Sequence, residues 1–294
     1  MRSRRGAQGA PENSSAEADV DELRRKLRTA RQNLRKVRED RDALRRSRKK
    51  AQRELDVLRA FTLDMFPDID VPERVRELMA AVREENLTYL ADLHLTSLVT
   101  CVLEAERAGR KGLIVEAGTA LGGSAIAMAA AKDPARPMRV YDVFGMIPPP
   151  SERDGEDVIR RYEQITEGQS SGLAGEVYYG YREDLLGEVT ASFARHGVPV
   201  EENQVTLVQG LFQDTIEIDE PVALAHVDGD WYDSTMTCLE RITPHLVVGG
   251  RIVIDDYFMW SGCREAVDEY FADRPGFRVE RRAKVHIVRL PEDA

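Results

Sequence analysis

Two short acidic runs stand out by residue type and spacing. The first, Asp228-Gly229-Asp230-Trp231-Tyr232, follows the apolar segment Ala223-Leu224-Ala225-His226-Val227. The second, Asp255-Asp256-Tyr257, follows Arg251-Ile252-Val253-Ile254. If both segments are strands and lie side by side, three or four carboxylates converge. Carboxylates that close repel one another unless a proton or a cation intervenes. A set of oxygen donors suits a hard ion, Mg²⁺ first, with Mn²⁺ or Ca²⁺ as alternatives. A lone Asp-Asp commonly does no more than cap a turn or a helix. His226 lies two residues before Asp228, so both point to the same face of the strand. It is either a second proton acceptor or a satisfied core histidine. Trp231 and Tyr232 either wall a substrate pocket or pack beneath the loop.

A glycine-rich turn offers a second kind of chemistry. Leu113-Ile114-Val115 runs into Glu116-Ala117-Gly118-Thr119-Ala120-Leu121-Gly122-Gly123-Ser124. Glycines let a backbone turn sharply and approach a ligand. The free N–H groups of a following helix favour a carboxylate or phosphate. Such a turn fits NAD, a flavin or S-adenosylmethionine. Val140-Tyr141-Asp142 ends a second apolar segment, and an acid there can accept from both ribose hydroxyls. In Gln209-Gly210-Leu211-Phe212, Gly210 permits close approach and Leu211 or Phe212 can flank an adenine face.

These residues need a scaffold that gathers them. Strands are expected at Gly112–Glu116, Met138–Val143, Val205–Gln209, Val222–Val227 and Arg251–Ile254, with a final pair near Phe277–Glu280 and Lys284–Leu290. Helices are expected to begin near Gly122, Ser151, Arg182, Ser234 and Gly262. Alternation of strands and helices predicts an α/β, doubly wound, mainly parallel sheet over residues 111–294. Ligands of such sheets sit beyond the strand C-termini, where every motif above lies. Residues 61–110 carry a helical period and are expected to form a linker or cap over the substrate side. Loop 146–181, with Pro148-Pro149-Pro150 and Gly168-Gln169-Ser170-Ser171-Gly172, is expected to be a mobile lid carrying specificity.

The N-terminal part differs. The whole chain has 294 residues and a formal net charge of −10. Residues 21–60 hold 16 Lys/Arg against 7 Asp/Glu, whereas residues 61–294 hold 23 against 42. Residues 1–18 are expected to be disordered. Over 19–60, Val20, Leu23, Leu27, Ala30, Leu34, Val37, Leu44, Ala51, Leu55 and Leu58 fall on one heptad seam, interrupted at Arg41 and Arg48. A sustained 3.5-residue repeat predicts a basic coiled coil and a homo-oligomer. It lacks interleaved aromatics, so no nucleic-acid partner is expected. Cys101, Cys238 and Cys263 form no CxxC pair, which argues against a disulfide framework or zinc site. No membrane segment or secretory leader is expected, and the chain reads as cytoplasmic.

The ordered set Glu116-x-Gly118, Gly122-Gly123-Ser124, Asp142-Val143-Phe144-Gly145, Gly210-x-Phe212-x-Asp214-Thr215, Asp228-Gly229-Asp230-x-Tyr232-x-Ser234-Thr235, Asp255-Asp256-Tyr257 and Ala266-Val267-Asp268-Glu269-Tyr270 resembles the macrocin O-methyltransferase family. That family usually reads Cys-Gly-Val-Trp where this chain has Ala117-Gly118-Thr119-Ala120. The resemblance implies a class I methyltransferase, Rossmann-like fold. It implies S-adenosylmethionine at Glu116, Ala117, Gly118, Gly122, Ser124, Asp142, Gly210, Phe212 and Asp228. It also implies Mg²⁺, or Mn²⁺, on Asp228, Asp255 and Asp256, and a hydroxylated small-molecule acceptor such as a sugar or glycoside. Asp228 is the implied proton acceptor, with His226 as the second choice. Catechol-type methyltransferases look similar in the first loop and the metal triad. They carry a catalytic lysine three residues beyond the first metal Asp, where this chain has Trp231, so no lysine base is expected at that site. Two other readings compete: an NAD-dependent dehydrogenase, which leaves the second acidic pair without a role, and a coiled-coil scaffold or regulatory protein with a cofactor-sensing domain.

Overall fold

The computed structural model describes residues 69–291 and, ahead of them, residues 23, 25–31, 33–38, 41 and 44. The described residues between 23 and 44 are helical, and Leu23, Leu27, Leu34, Val37 and Leu44 are exposed on them. The tail expected at 1–18 and the rest of the expected coiled coil lie outside the described residues. Among the described residues no helix is long and apolar enough to cross a membrane.

The remainder is a doubly wound α/β unit. In chain order it runs α1 (Glu73–Glu84), α2 (Asp92–Arg107), β1 (Leu113–Ala117), α3 (Gly123–Ala131), β2 (Met138–Asp142), α4 (Glu156–Thr166) and α5 (Leu185–Arg195). It continues with β3 (Val205–Gln209), the short α6 (Phe212–Thr215), β4 (Val222–Val227), α7 (Tyr232–Ile242), β5 (Leu246–Ile254), α8 (Ser261–Phe271), β6 (Phe277–Arg281) and β7 (Val285–Arg289). The sheet order is β3-β2-β1-β4-β5-β7-β6. Strands β1 to β5 are parallel, and β7 pairs antiparallel with both β5 and β6.

Two cores sandwich the sheet. Ile114, Leu224 and Val253 face α1, α2, α3 and α5, while Leu113, Val115, Ala225 and Ile252 face α7 and α8. Alternate residues of each strand are therefore buried on opposite faces, which is why the central strands β1 and β4 read as apolar runs broken only by Glu116 and His226. Helix α3, Gly-Ser-Ala-Ile-Ala-Met-Ala-Ala-Ala, is buried along its whole length. Its small side chains let α1 and α2 close over it. The Gly123 amide donates to the Leu87 carbonyl at 2.9 Å, and a Cβ at Gly123 would lie 2.5 Å from that oxygen. That contact ties the segment ahead of α2 to the start of α3.

Segment 146–181 is substantially folded. It contains α4 and two short 3₁₀ turns, Leu173–Gly175 and Tyr179–Tyr181. Its own small core joins Ile147, Val158, Ile165 and Tyr178 to Trp231.

Candidate active site

The parallel register builds the acidic cluster. Val227 of β4 pairs with Ile254 of β5, so the next residues, Asp228 and Asp255, emerge side by side. The ladder continues one step beyond the strands: the Asp228 amide donates to the Ala117 carbonyl at 2.8 Å and the Asp255 amide to Val227 at 2.9 Å. Asp228, Asp255 and Asp256 each present one ligand oxygen, all within 4.8 Å of one another. The Asp255 Oδ1 atom is buried and has no hydrogen-bond partner. Three carboxylates that converge in this way, with an unsatisfied buried oxygen on Asp255, fit a hard divalent cation.

Electrostatics separates the members of this cluster. Burial, then Asp256, Asp255 and Asp230, push the Asp228 carboxyl well above its ordinary range. Burial and Asp255 likewise raise Asp256. Asp255 runs the other way. Burial opposes its ionisation, but His226 and the Lys284 ammonium hold it down at about 2. Lys284 Nζ lies 2.7 Å from Asp255 Oδ2.

His226 is completely enclosed. Its Nδ1 is 2.9 Å from Glu116 Oε1, and its Nε2 is 3.6 Å from Asp255 Oδ1. Burial lowers its pKa, yet the two flanking carboxylates lift it to about 9. An imidazolium clamped between two carboxylates has no free lone pair with which to take a substrate proton. The geometry therefore gives His226 and Glu116 a supporting place behind the cluster, outside the cavity lining.

A cavity of about 410 Å³ opens in front of these groups. One wall holds Gly118, Thr119, Ala120, Ser124, Asp142, Leu211 and Phe212. Gly118, with φ at +88°, passes so close to the next strand end that a Cβ would sit 1.9 Å from the Asp228 carbonyl oxygen. Asp142 latches this loop. Its Oδ2 accepts from the Thr119 and Ala120 amides at 2.8 and 3.0 Å, and its Oδ1 accepts from the Phe144 amide at 2.7 Å. Burial raises the Asp142 carboxyl against the pull of those three donors. Thr119 Oγ1 is buried without a partner, an observation that suits a bound polar ligand. Of the expected cofactor residues, Glu116, Ala117, Gly122 and Gly210 are not in the cavity lining. Ala117 ends β1, Gly122 precedes α3, and the Gly210 amide continues the ladder by donating to the Asp142 carbonyl at 2.9 Å.

The facing wall was hidden from motif reading. It brings Tyr89 and His94 from the cap together with Arg161, Tyr178 and Tyr179 from segment 146–181. Trp231 closes the floor, its indole donating to the Pro148 carbonyl at 3.0 Å. Trp260 donates to Asp230 Oδ1 at 2.9 Å. Asp230 has φ at +56°, and its carboxyl is raised well above the usual range by burial and then by Asp256. The unusual backbone at Asp230 was invisible in the sequence, although the Asp-Gly-Asp spacing could have suggested a second acid turned into the site.

Comparison with known proteins agrees with this geometry. Residues 20–276 match the model of the family described as Macrocin-O-methyltransferase (TylF). A Streptomyces olivaceus protein, 8-demethyl-8-(2,3-dimethoxy-alpha-L-rhamnosyl)-tetracenomycin-C 4'-O-methyltransferase, is 30% identical over 226 residues, 72% of this chain and 77% of its own. Mycinamicin III 3''-O-methyltransferase of Micromonospora griseorubida is 32% identical over 204 residues, 66% of this chain and 73% of its own. Among solved structures, the O-methyltransferase NovP superposes with a TM-score of 0.59 at 25% identity, covering 74% of this chain and 97% of that one. The carboxylates at the ends of β4 and β5, the glycine turn after β1 and the match over most of the chain agree: this protein belongs to the macrocin O-methyltransferase family of S-adenosylmethionine-dependent natural-product methyltransferases.

Proposed function

We propose that the protein methylates a hydroxyl of a sugar or other small glycosylated metabolite, and that Asp228, Asp255 and Asp256 hold a divalent cation, Mg²⁺ or Mn²⁺, for that reaction. The observation that carries the proposal is the convergence of one oxygen from each of the three carboxylates within 4.8 Å, on a cluster where Asp255 Oδ1 is buried without a hydrogen-bond partner. A bound divalent cation supplies positive charge where negative charge develops on an acceptor oxygen, and S-adenosylmethionine supplies the methyl group.

The chain's own residues do the rest. Leu211 and Phe212 offer apolar surface to an adenine, and Asp142 offers carboxylate oxygens to ribose hydroxyls. Asp228 stands between the glycine turn and the cation ligands, so it orders both halves of the site. Asp228 belongs to the converging triad, where a bound cation would occupy its carboxylate. We therefore assign the acceptor proton to Asp230, which lines the cavity, is oriented by Trp260 and lies outside the three ligand groups. The wall of Tyr89, Tyr178 and Tyr179 suits the apolar face of a sugar ring, with Arg161 and the phenol hydroxyls as polar anchors. The tetracenomycin relative, named for a rhamnosyl-bearing substrate, supports a glycoside acceptor.

The N-terminal helix is assigned to self-association. The exposed Leu23, Leu27, Leu34, Val37 and Leu44 form an unpartnered apolar seam, and a second copy supplies the matching one.

The proposal is tested with labelled S-adenosylmethionine and a panel of deoxysugar glycosides. Methyl transfer is expected to vanish in excess chelator and to return with Mg²⁺. Undiminished transfer in chelator would remove the cation from the mechanism.

A further inference from the structure

Lys284 reaches the acidic cluster from a direction that no motif marks. Strands β5 and β7 run antiparallel, with Ile254 opposite Val285. The residue after Ile254 is Asp255, and the residue before Val285 is Lys284, so the register itself sets the two side by side. The ammonium lies 2.7 Å from Asp255 Oδ2 and donates to the Asp255 carbonyl at 3.0 Å. The Lys284 side chain is only 15% exposed, and it lines the same cavity as the aspartates. A flexible, strongly hydrated ammonium is costly to hold in such a place, so its position asks for a role.

The geometry points to Lys284 as a tethered cation that shares Asp255 with the divalent ion and weakens the site's grip on it. This inference rests on the metal reading of the cluster. The ammonium repels a divalent ion at short range in a buried setting where screening is weak. Asp255 Oδ1, which faces His226 at 3.6 Å beyond hydrogen-bond reach, stays free for the ion while Oδ2 is spent on Lys284.

The sign of the effect separates this role from a scaffolding one. A lysine that merely props up Asp255 would, when removed, loosen the site and weaken metal binding. A competing cation, when removed, tightens it. The test is Mn²⁺ affinity of the full-length protein with S-adenosylhomocysteine bound, read by electron paramagnetic resonance of free Mn²⁺. Lys284→Met and Lys284→Gln are expected to bind Mn²⁺ at least about tenfold more tightly than wild type. Lys284→Gln retains a donor for Asp255 Oδ2 and keeps the test decisive if the methionine variant folds poorly. Lys284→Arg, which preserves the charge, is expected to stay within about threefold of wild type. Unchanged or weaker Mn²⁺ binding in both neutral variants overturns the inference and leaves the metal site standing. Wild-type protein with no saturable Mn²⁺ binding that Asp228→Asn removes would instead overturn the metal reading itself, and this inference with it.

Discussion

At the residue scale, the site divides carboxylates that look alike in the sequence into three jobs. Asp228, Asp255 and Asp256 converge at one point, Asp230 stands apart beside Trp260, and Asp142 fastens the glycine loop. The Asp230 assignment predicts that Asp230→Asn lowers kcat by roughly 10²–10⁴-fold. Binding of S-adenosylhomocysteine, measured by calorimetry, is expected to stay unchanged. His226 carries a pH prediction. Its folded pKa of about 9 lies above the ordinary value of 6.5. The folded state therefore holds a proton that the unfolded chain releases between these values. Its stabilisation is fully present below pH 6.5 and is lost as pH rises through about 9. The contribution is on the order of 2–3 kcal/mol for this enclosed group. Urea unfolding of the metal-free protein at pH 6.5 and pH 9.5 should show that loss in wild type and little of it in His226→Gln. The identities of the acids were legible in the sequence because each follows an apolar strand. The partners of His226 were not, since Glu116 lies 110 residues away and meets it only through the β1–β4 register.

Elements explain where reading succeeded and where it slipped. Strands β3 and β4 stand at the expected bounds because each is a short run rich in apolar and β-branched residues, β3 closed by Gly210 and β4 opened by Pro221. Strand β5 starts at Leu246, five residues before the expected Arg251, because Gly249-Gly250 breaks the apolar pattern at an irregularity where the register with β4 jumps from Val222–Leu246 to Leu224–Arg251 and the strand nevertheless continues. Helix α4 starts at Glu156 and not at Ser151. Asp154 accepts from the Ser151 amide at 2.9 Å and closes a turn there first. The tyrosine wall was unreadable for a different reason: its members come from two separate segments that converge only after folding. The glycine turn yields the element-scale prediction. Gly118→Ala places a Cβ 1.9 Å from the Asp228 carbonyl oxygen at a φ of +88°. A cost of at least roughly 3 kcal/mol is expected from clash and backbone strain together. Denaturant midpoints should fall, and affinity for S-adenosylhomocysteine should fall with them.

Across the whole molecule, charge and apolar seam change in the sequence at about residue 60, and the described residues 69–291 form one compact unit. The glycine-turn wall, the acidic cluster and the tyrosine wall all belong to that unit. Removing residues 1–60 is thus expected to lower the oligomer order, seen as a smaller mass by light scattering, and to leave S-adenosylhomocysteine affinity within about twofold. An unchanged assembly mass would remove the seam from the interface. The account as a whole turns on the proposed cation-ligand role of Asp228. Its most direct test is Asp228→Asn assayed twice on one preparation, once for S-adenosylhomocysteine affinity by calorimetry and once for labelled methyl transfer to a glycoside that the wild type accepts. The account predicts near-normal affinity with transfer reduced at least about 10³-fold. Transfer at the wild-type rate in this variant would contradict it.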